Sequence, residues 1–484
     1  VKRRAQALIL SLVALAAAGC ADMRGIHPQA ELTAPATLGL DTQASRFVPA
    51  EDWWTELGDA QLNRLIGTAL AQNPNLRVAG ARVAKARATE AAVAAALLPQ
   101  VNGGLDLSRQ AFSANYIYPP PLGGGMSNIG TLQLTGGWEL DFFGKNAAAV
   151  RAAAGQSRAT EAEADAARVL LAANVTRSYL QWARLEEQRA LAERALTQRQ
   201  QMLSLVQDRV KAGLDTQLEV RQNETGRADS RTQIAVVDQQ IDATRNALAA
   251  LLGLPRPPEG LVAPRLARFQ PLAVPSQLHA DWLGRRADIV AARWRVEAAR
   301  GEVDVARAQF YPNINLAGFL GFQSLGFGNL LKGDSFQWSV GPAVRLPIFE
   351  GGRLRANLAG RSADVDAAVE SYNATVIEAM REVADQAQAV QATARQQREQ
   401  ARALQAAEGA YDIARQRYGA GLGNYLNVLS AETSVLAQRR QHADLLAQAL
   451  QGQVGVAQAM GGGWRPTPAE AAVPDAAPLA AATR

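Results

Sequence analysis

One cysteine, Cys20, stands in 484 residues, so an intrachain disulfide is excluded. The three histidines, His27, His279 and His442, lie far apart without ligand spacing. They read as surface or structural residues, and no metal site is expected. There is no Walker loop and no dinucleotide glycine fingerprint. Gly123-Gly-Gly125 and Gly461-Gly-Gly463 do not fall between a strand and a helix, so they read as flexible loops, not phosphate cradles. No convergent set of nucleophile, base and metal ligand is present, which removes the enzyme classes that need one. The formal charge of +5 includes Lys2, Arg3 and Arg4, and the rest is near balance, which leaves no case for nucleic acid. Long apolar runs are also missing, save one at the start.

That run, Ala5 to Ala18 behind Lys2-Arg3-Arg4, is too short and wrongly flanked for a transmembrane helix and fits a secretory signal. It ends Leu15-Ala-Ala-Ala-Gly-Cys20, small residues directly before a cysteine, and so resembles a bacterial lipobox, with Ala17 where leucine is commoner. The implied chemistry is diacylation of the Cys20 thiol, cleavage before Cys20 and acylation of the new amine. The alternative is an ordinary signal followed by a chance cysteine. Ala21 is not the aspartate that tends to retain lipoproteins in the inner membrane. Two or more acyl chains anchor a protein stably.

What is abundant is Ala, Gln, Arg and Leu, a composition of long helices. One stretch recurs: Arg209-Val-Lys-Ala-Gly-Leu214 through Thr225 matches Arg417-Tyr-Gly-Ala-Gly-Leu422 through Thr433 without gaps. Each copy is an Ala-Gly-Leu turn between helical patterns, with the glycine where a left-handed C-cap belongs. Each reads as the tip of a helical hairpin. A run of roughly 65 residues from Asn146 would make a helix of about 100 Å. Its seam advances by fours and threes through Leu171, Val175, Trp182 and Leu185. A second such helix starts near Arg353, with Val365, Val369, Tyr411 and Tyr418 on its seam. Stripes this narrow must pack on neighbours, from the same chain and from others.

Ahead of each long helix the period changes to two. Val101 to Phe112 forms a strand despite Gly103 and Gly104. Leu132, Leu134, Trp138, Leu140 and Phe142 share one face of the next. In the second half, Ile314, Leu316, Leu320 and Phe322 form one face, and Phe336, Trp338, Val340, Val344, Leu346 and Ile348 another. Pro342 should sit where its missing donor is tolerated. A helix precedes each pair and stops at Pro99 and at Pro312; Arg82-Val83 matches Arg295-Val296. Four strands cannot close a barrel alone, yet their alternation is that of an outer-membrane barrel. In lipid an open edge is untenable, so several chains must close together, and three would supply twelve strands. The soluble alternative is a pair of small sheets capping a coiled coil.

The Trp53-Trp54 helix ending Asn73-Pro-Asn75, Trp138-Glu-Leu-Asp-Phe-Phe-Gly144, Leu346-Pro-Ile-Phe-Glu-Gly-Gly-Arg353 and the two tips, in this order within a duplicated chain, resemble a TolC-type outer membrane factor. The likeness runs from Trp53 to Met460, and is to the lipidated branch that serves multidrug efflux. It implies a mostly α chain with a small membrane β part. Three chains would form a twelve-stranded β-barrel continued by a twelve-helix periplasmic α-barrel, with two structural repeats per chain. The segments expected are a signal peptide (1–19), a lipidated extension (20–50), equatorial helices (51–99), a β-hairpin (100–142), a long helical hairpin (143–254), a connector (255–285), the second-repeat helix (286–312), a second β-hairpin (313–349), a second helical hairpin (350–460) and a tail (461–484).

The resemblance also implies partners: two further copies, a periplasmic adaptor protein, an inner-membrane pump, here taken as proton-driven, and outer-membrane lipid. No cofactor is implied beyond lipid on Cys20. Carried onto this chain, Ala212, Gly213, Leu214, Ala420, Gly421 and Leu422 are adaptor-docking tips. The aperture positions are Asn427 and Ser430, both neutral where relatives often carry acids. Glu219 is the nearest carboxylate, Asn424 lies just beyond the second tip, and Leu422 offers steric closure or plain seam packing. The function implied is a passive exit duct. The alternatives are a protein-secretion duct, a coiled-coil lipoprotein without a pore, and a lipoprotein enzyme, for which no site is seen.

Overall fold

A computed structural model describes residues 23–33, 50–273 and 284–464. The signal, Cys20 and the tail from residue 465 lie outside these. The helices are α1 (Ala60–Gln72), α2 (Pro74–Ala94), α3 (Lys145–Lys211), α4 (Gln217–Leu251), α5 (Ala287–Ala308), α6 (Arg353–Gly419) and α7 (Tyr425–Ala459). The strands are β1 (Gln100–Ala111), β2 (Met126–Leu140), β3 (Asn313–Leu325) and β4 (Phe336–Arg345). Both α3 and α6 run 67 residues without a break. Extending the tip alignment back without gaps sets Lys145 on Arg353, the first residue of each. No helix among the described residues is long and apolar enough to cross a membrane.

Two compact units divide the chain, and neither is a single stretch of sequence. Among the described residues, the first holds 23–32, 82–160 and 291–373, with all four strands. They form one antiparallel sheet in the order β1-β2-β3-β4. The register aligns apolar side chains across strands: Leu132 faces Phe322, Leu134 faces Leu320 and Leu320 faces Trp338. Leu105, Leu134, Leu320, Trp338 and Val340 are exposed on that face. The opposite face is polar: Gln337 Nε2 donates to Gln323 Oε1 at 3.0 Å, and Asn313 Nδ2 donates to Glu139 Oε1 at 2.7 Å. β1 and β4 are the edges, and β1 is exposed along its whole length. β4 ends at Arg345, so the expected continuation through Leu346 and Ile348 does not hold: Pro347 has no N–H to give a ladder.

The strand registers obey the repeat. The β1–β2 ladder starts at Gln100–Gly137 and the β3–β4 ladder at Asn313–Arg345, and the two repeat alignments equate these residues in turn. Beneath the sheet, α5 lies against α3 and α6. Val296, Val303 and Phe310 pack with Leu354, Leu358, Val365 and Val369 of α6. Toward α3 the backbones nearly touch. A methyl on Gly301 would lie 2.8 Å from Ala152 Cβ, and one on Gly155 would lie 3.0 Å from the Ala298 nitrogen. The helix equivalent to α5 in the first repeat is α2, and none of its residues is buried.

Residues 23–32 lie along α6 in the same unit. Met23, Ile26, Ala30 and Leu32 pack on its apolar cluster. The Gln29 and Ala30 amides donate to Asp366 Oδ1 at 2.7 and 2.8 Å, and Asn373 Nδ2 donates to the Glu31 carbonyl at 3.0 Å. At the other end, Arg355 Nη2 reaches the Arg24 carbonyl at 3.4 Å. The strap's N-terminal end is therefore beside the start of α6, next to the strands.

Among the described residues, the second unit holds 33, 50–81, 161–273, 284–290 and 374–464. Its core joins Trp53, Leu57, Leu62 and Ile66 to Leu180, Trp182 and Leu185 of α3, Val237 and Ile241 of α4 and Leu450 and Val454 of α7. Asp59 caps α1, accepting from the Gln61 and Leu62 amides. The helix expected over 51–75 is split into a short 3-10 turn, Trp53–Leu57, and α1, because Gly58 turns left-handed at φ 75°. Alongside the expected α3 seam, a second stripe, Ala172, Thr176, Tyr179 and Ala183, is also buried.

The hairpin tips as the candidate functional site

Both tips lie in the second unit and are built alike. Gly213 (φ 73°) and Gly421 (φ 75°) end α3 and α6 in the left-handed conformation. The Leu214 amide donates to the Arg209 carbonyl at 2.9 Å and Gly213 to Val210 at 3.0 Å; the second tip repeats this with Leu422 to Arg417 at 2.8 Å and Gly421 to Tyr418 at 3.1 Å. This is the Schellman arrangement, which satisfies carbonyls the helix end leaves open. Ala212, Gly213, Leu214, Ala420, Gly421 and Leu422 are all exposed. Leu214, Leu218, Leu422 and Leu426, two equivalent pairs, are each more than 60% exposed. So many bare leucines at two turns make an apolar end surface.

The return helices are capped differently. Thr216 and Glu219 form a capping box: the Glu219 carboxylate accepts from the Thr216 amide at 2.9 Å and its hydroxyl at 2.6 Å. The Thr216 hydroxyl hydrogen bond, first among several, holds Glu219 below the usual carboxylate range. Glu219, read from sequence as the nearest aperture carboxylate, is thus committed to its own helix end. Asn424 caps α7, its Oδ1 accepting from the Asn427 amide at 3.1 Å. Asn427 and Ser430 are exposed.

Just behind the turns, a polar cluster that the alignment did not single out joins the two hairpins. Arg209 Nε donates to Asp215 Oδ2 at 2.8 Å, both side chains being about nine-tenths covered. The Tyr418 hydroxyl donates to the same Asp215 oxygen. Arg209 Nη1 donates to the Tyr418 carbonyl at 3.0 Å, and its guanidinium lies 4.5 Å above the Tyr418 ring. Burial alone would push the Asp215 carboxyl up, but hydrogen bonds from Arg209 and Tyr418 and the guanidinium charge outweigh it and bring it down. Burial, then the bond to Asp215 and its charge, push the Tyr418 phenol up. Further along, Asn223 Nδ2 donates to the Tyr425 hydroxyl at 3.1 Å, and Arg199 pairs with Glu432 at 3.0 Å while its Nη1 reaches the Gly226 carbonyl. Tyr418, Tyr425, Met202, Val206 and Val428 fill the apolar space between.

In the second hairpin Asp215 corresponds to Gly423 and Tyr418 to Val210. The cluster therefore exists once per chain, and Arg417, the counterpart of Arg209, only reaches the Leu422 carbonyl of its own turn, at 3.4 Å. Cys20 lies outside the described residues; the strap at 23–32 is the nearest part described.

Comparison with known proteins agrees with this architecture. The family model described as outer membrane efflux protein matches residues 65–254 and 278–462. The fusaric acid resistance protein FusA of Burkholderia cepacia is 39% identical over 375 residues, 74% of this chain and 69% of the relative. The multidrug resistance outer membrane protein MdtQ of Escherichia coli O6:H1 is 31% identical over 466 residues, 93% of this chain and 96% of the relative. The crystal structure of the outer membrane protein VceC of Vibrio cholerae superposes with a TM-score of 0.80 at 35% identity, covering 86% of this chain and 99% of that one. With a duplicated chain, a sheet apolar on one face, and two helical hairpins, this chain belongs to the outer membrane efflux protein family and is an efflux channel of the outer membrane that extends into the periplasm.

Proposed function

We propose that copies of this chain, three of them, close their sheets into a twelve-stranded barrel and their long helices into a periplasmic tunnel, a passive exit duct for small molecules. The observation that carries this is the sheet: one face apolar and bare, the other polar, and both edge strands without partners. An apolar band outside with a polar lumen inside is what lipid and water demand of a barrel wall, and open edges cannot persist in lipid. The relatives named for multidrug, fusaric acid and toluene resistance or efflux support small molecules as cargo. The chain performs no catalysis of its own, so the energy comes from an inner-membrane pump, proton-driven in this reading. Leu214, Leu218, Leu422 and Leu426 offer the apolar surface on which a periplasmic adaptor docks. Lipid on Cys20 holds the strap's start at the membrane, consistent with its place beside the strands.

The test is reconstitution. Purified protein in planar bilayers should conduct ions and run on gels as a heat-modifiable trimer. Expression in a strain lacking its main efflux duct should restore resistance to small apolar toxicants. A monomer that neither conducts nor restores resistance would leave only the coiled-coil lipoprotein.

A further inference from the structure

A cavity lies where the sheet meets the helices, wholly within the first unit. It measures about 630 Å3, inside the range of about 300–1,000 Å3 usual for small-molecule sites. The motif that follows β2 and the one that follows β4 both line it, and residues at the end of α5 form the third side. Its charges do not cancel. Three acids, Glu139, Asp141 and Glu350, meet three bases, Lys145, Arg345 and Arg353. Lys145 pairs with Glu139, and Arg353 Nε pairs with Glu350 at 2.8 Å. Asp141 needs no base: its two oxygens accept from the Asn146 and Ala147 amides at 3.0 and 2.7 Å, at the positive end of α3. Arg345 is left over. Its side chain makes no hydrogen bond or ion pair among the described residues. Asn313, opposite it on β3, is already engaged with Glu139.

The apolar wall is flat. Phe143 and Tyr311 stack with their ring centroids 5.0 Å apart and 11° between planes, and each is at least 40% exposed. A further ring can extend such a stack at 4.5–7 Å. The Tyr311 hydroxyl also has no hydrogen-bond partner among the described residues. One uncompensated guanidinium beside a bare aromatic pair suits a ligand with one negative charge and a flat apolar body.

We infer that this cavity is a cargo site for small aromatic carboxylates, with the carboxylate on Arg345 and the ring against Phe143 and Tyr311. A guanidinium presents two parallel N–H donors that match a carboxylate's two oxygens. The placement rests on the duct reading above: Glu139, Asn313 and Arg345 stand on the polar face of the sheet, which that reading turns to the lumen. A lipid headgroup offers the same negative charge, but its chains need the apolar face, and Arg345 is on the other. A shallow site of this kind suits a duct, since a pathway must hold its cargo weakly enough to release it.

Benzoate is the probe, and two measurements on the full-length protein separate the site from the duct. Equilibrium dialysis of protein purified in a non-ionic detergent should show saturable binding of labelled benzoate. Benzylamine, with the same ring and the opposite charge, and acetate, without the ring, should compete at least about tenfold less well. Arg345→Gln should weaken benzoate binding by about tenfold or more, the loss expected for a charge-assisted bond, and Arg345→Lys should restore part of it. Phe143→Leu should weaken benzoate and leave acetate unchanged. In planar bilayers benzoate should lower the current of the unaltered channel more than that of Arg345→Gln. No saturable binding, equal binding by Arg345→Gln, or benzylamine binding as tightly as benzoate overturns the site, whether or not the protein conducts. Displacement of benzoate by a short-chain phosphatidylglycerol overturns the cargo assignment in favour of a lipid headgroup. Arginine-dependent binding by a protein that does not conduct supports the site and removes the duct.

Discussion

Replacing Tyr418 by phenylalanine removes one oxygen and little else. The ring stays beneath the Arg209 guanidinium and the backbone carbonyl still accepts from it, but the hydroxyl bond to Asp215 is gone. A hydrogen bond to a charged group contributes about 1.5–3 kcal/mol. At 1.4 kcal/mol per factor of ten, the balance between joined and parted hairpin tips shifts roughly 10- to 150-fold per chain. Asp215→Asn should act more strongly, by about 3–5 kcal/mol, because it leaves a covered guanidinium without its counter-charge. The assay is single-channel recording in planar bilayers, with hydrogen exchange at residues 418–424 as the structural readout. Both variants should open more often and exchange faster, and the double variant should fall short of the sum, because the two changes share one oxygen. Unchanged opening with unchanged exchange in Tyr418→Phe would refute the idea that this cluster holds the tips together.

Acid should act on the same place. Asp215 and Glu219 titrate below the ordinary carboxylate range in the fold, so their contribution is fully present above about pH 4 and is lost as pH falls through the lowered values. Channel opening should stay flat from neutrality to about pH 5 and rise only below about 4; a rise near pH 6 would contradict this assignment. Gly421→Ala has open space for its methyl, so its cost is the left-handed backbone alone, about 1–2 kcal/mol, and protease nicking at the second tip should increase accordingly. Asp366→Ala removes the acceptor of two strap amides, and trypsin cleavage at Arg24 should quicken roughly tenfold or more, with channel conductance unchanged.

The long helices were legible because nothing interrupts them: the periodicity runs from Lys145 to Lys211, and the glycine that ends it also sets the tip. Strands were legible for the same reason at period two, and even Gly103 and Gly104 did not break β1. What the alignment of the two halves could not reveal is what the halves do not share. Asp215 matches Gly423, so the repeat does not mark it, and its partner Tyr418 is 203 residues away. The second buried stripe on α3 is carried largely by alanines such as Ala172 and Ala183, whose hydropathy barely marks a face. Alternation at Leu346 and Ile348 continued past the strand because apolar spacing does not register the donor that Pro347 lacks. Asn424 carried a visible signal, an N-cap residue three positions before Asn427, that only the geometry made decisive.

The close approach of Gly301 to Ala152 has a consequence for assembly errors. Two edges of similar sequence in one chain invite the wrong one to be chosen: α2 of an incoming copy could compete with α5 for the seat on α3. Ala88 would then bring a methyl to the point where even Gly301 leaves no room for one beside Ala152. A single carbon atom therefore works as an address label: it tells two helices of similar sequence which of them belongs on α3.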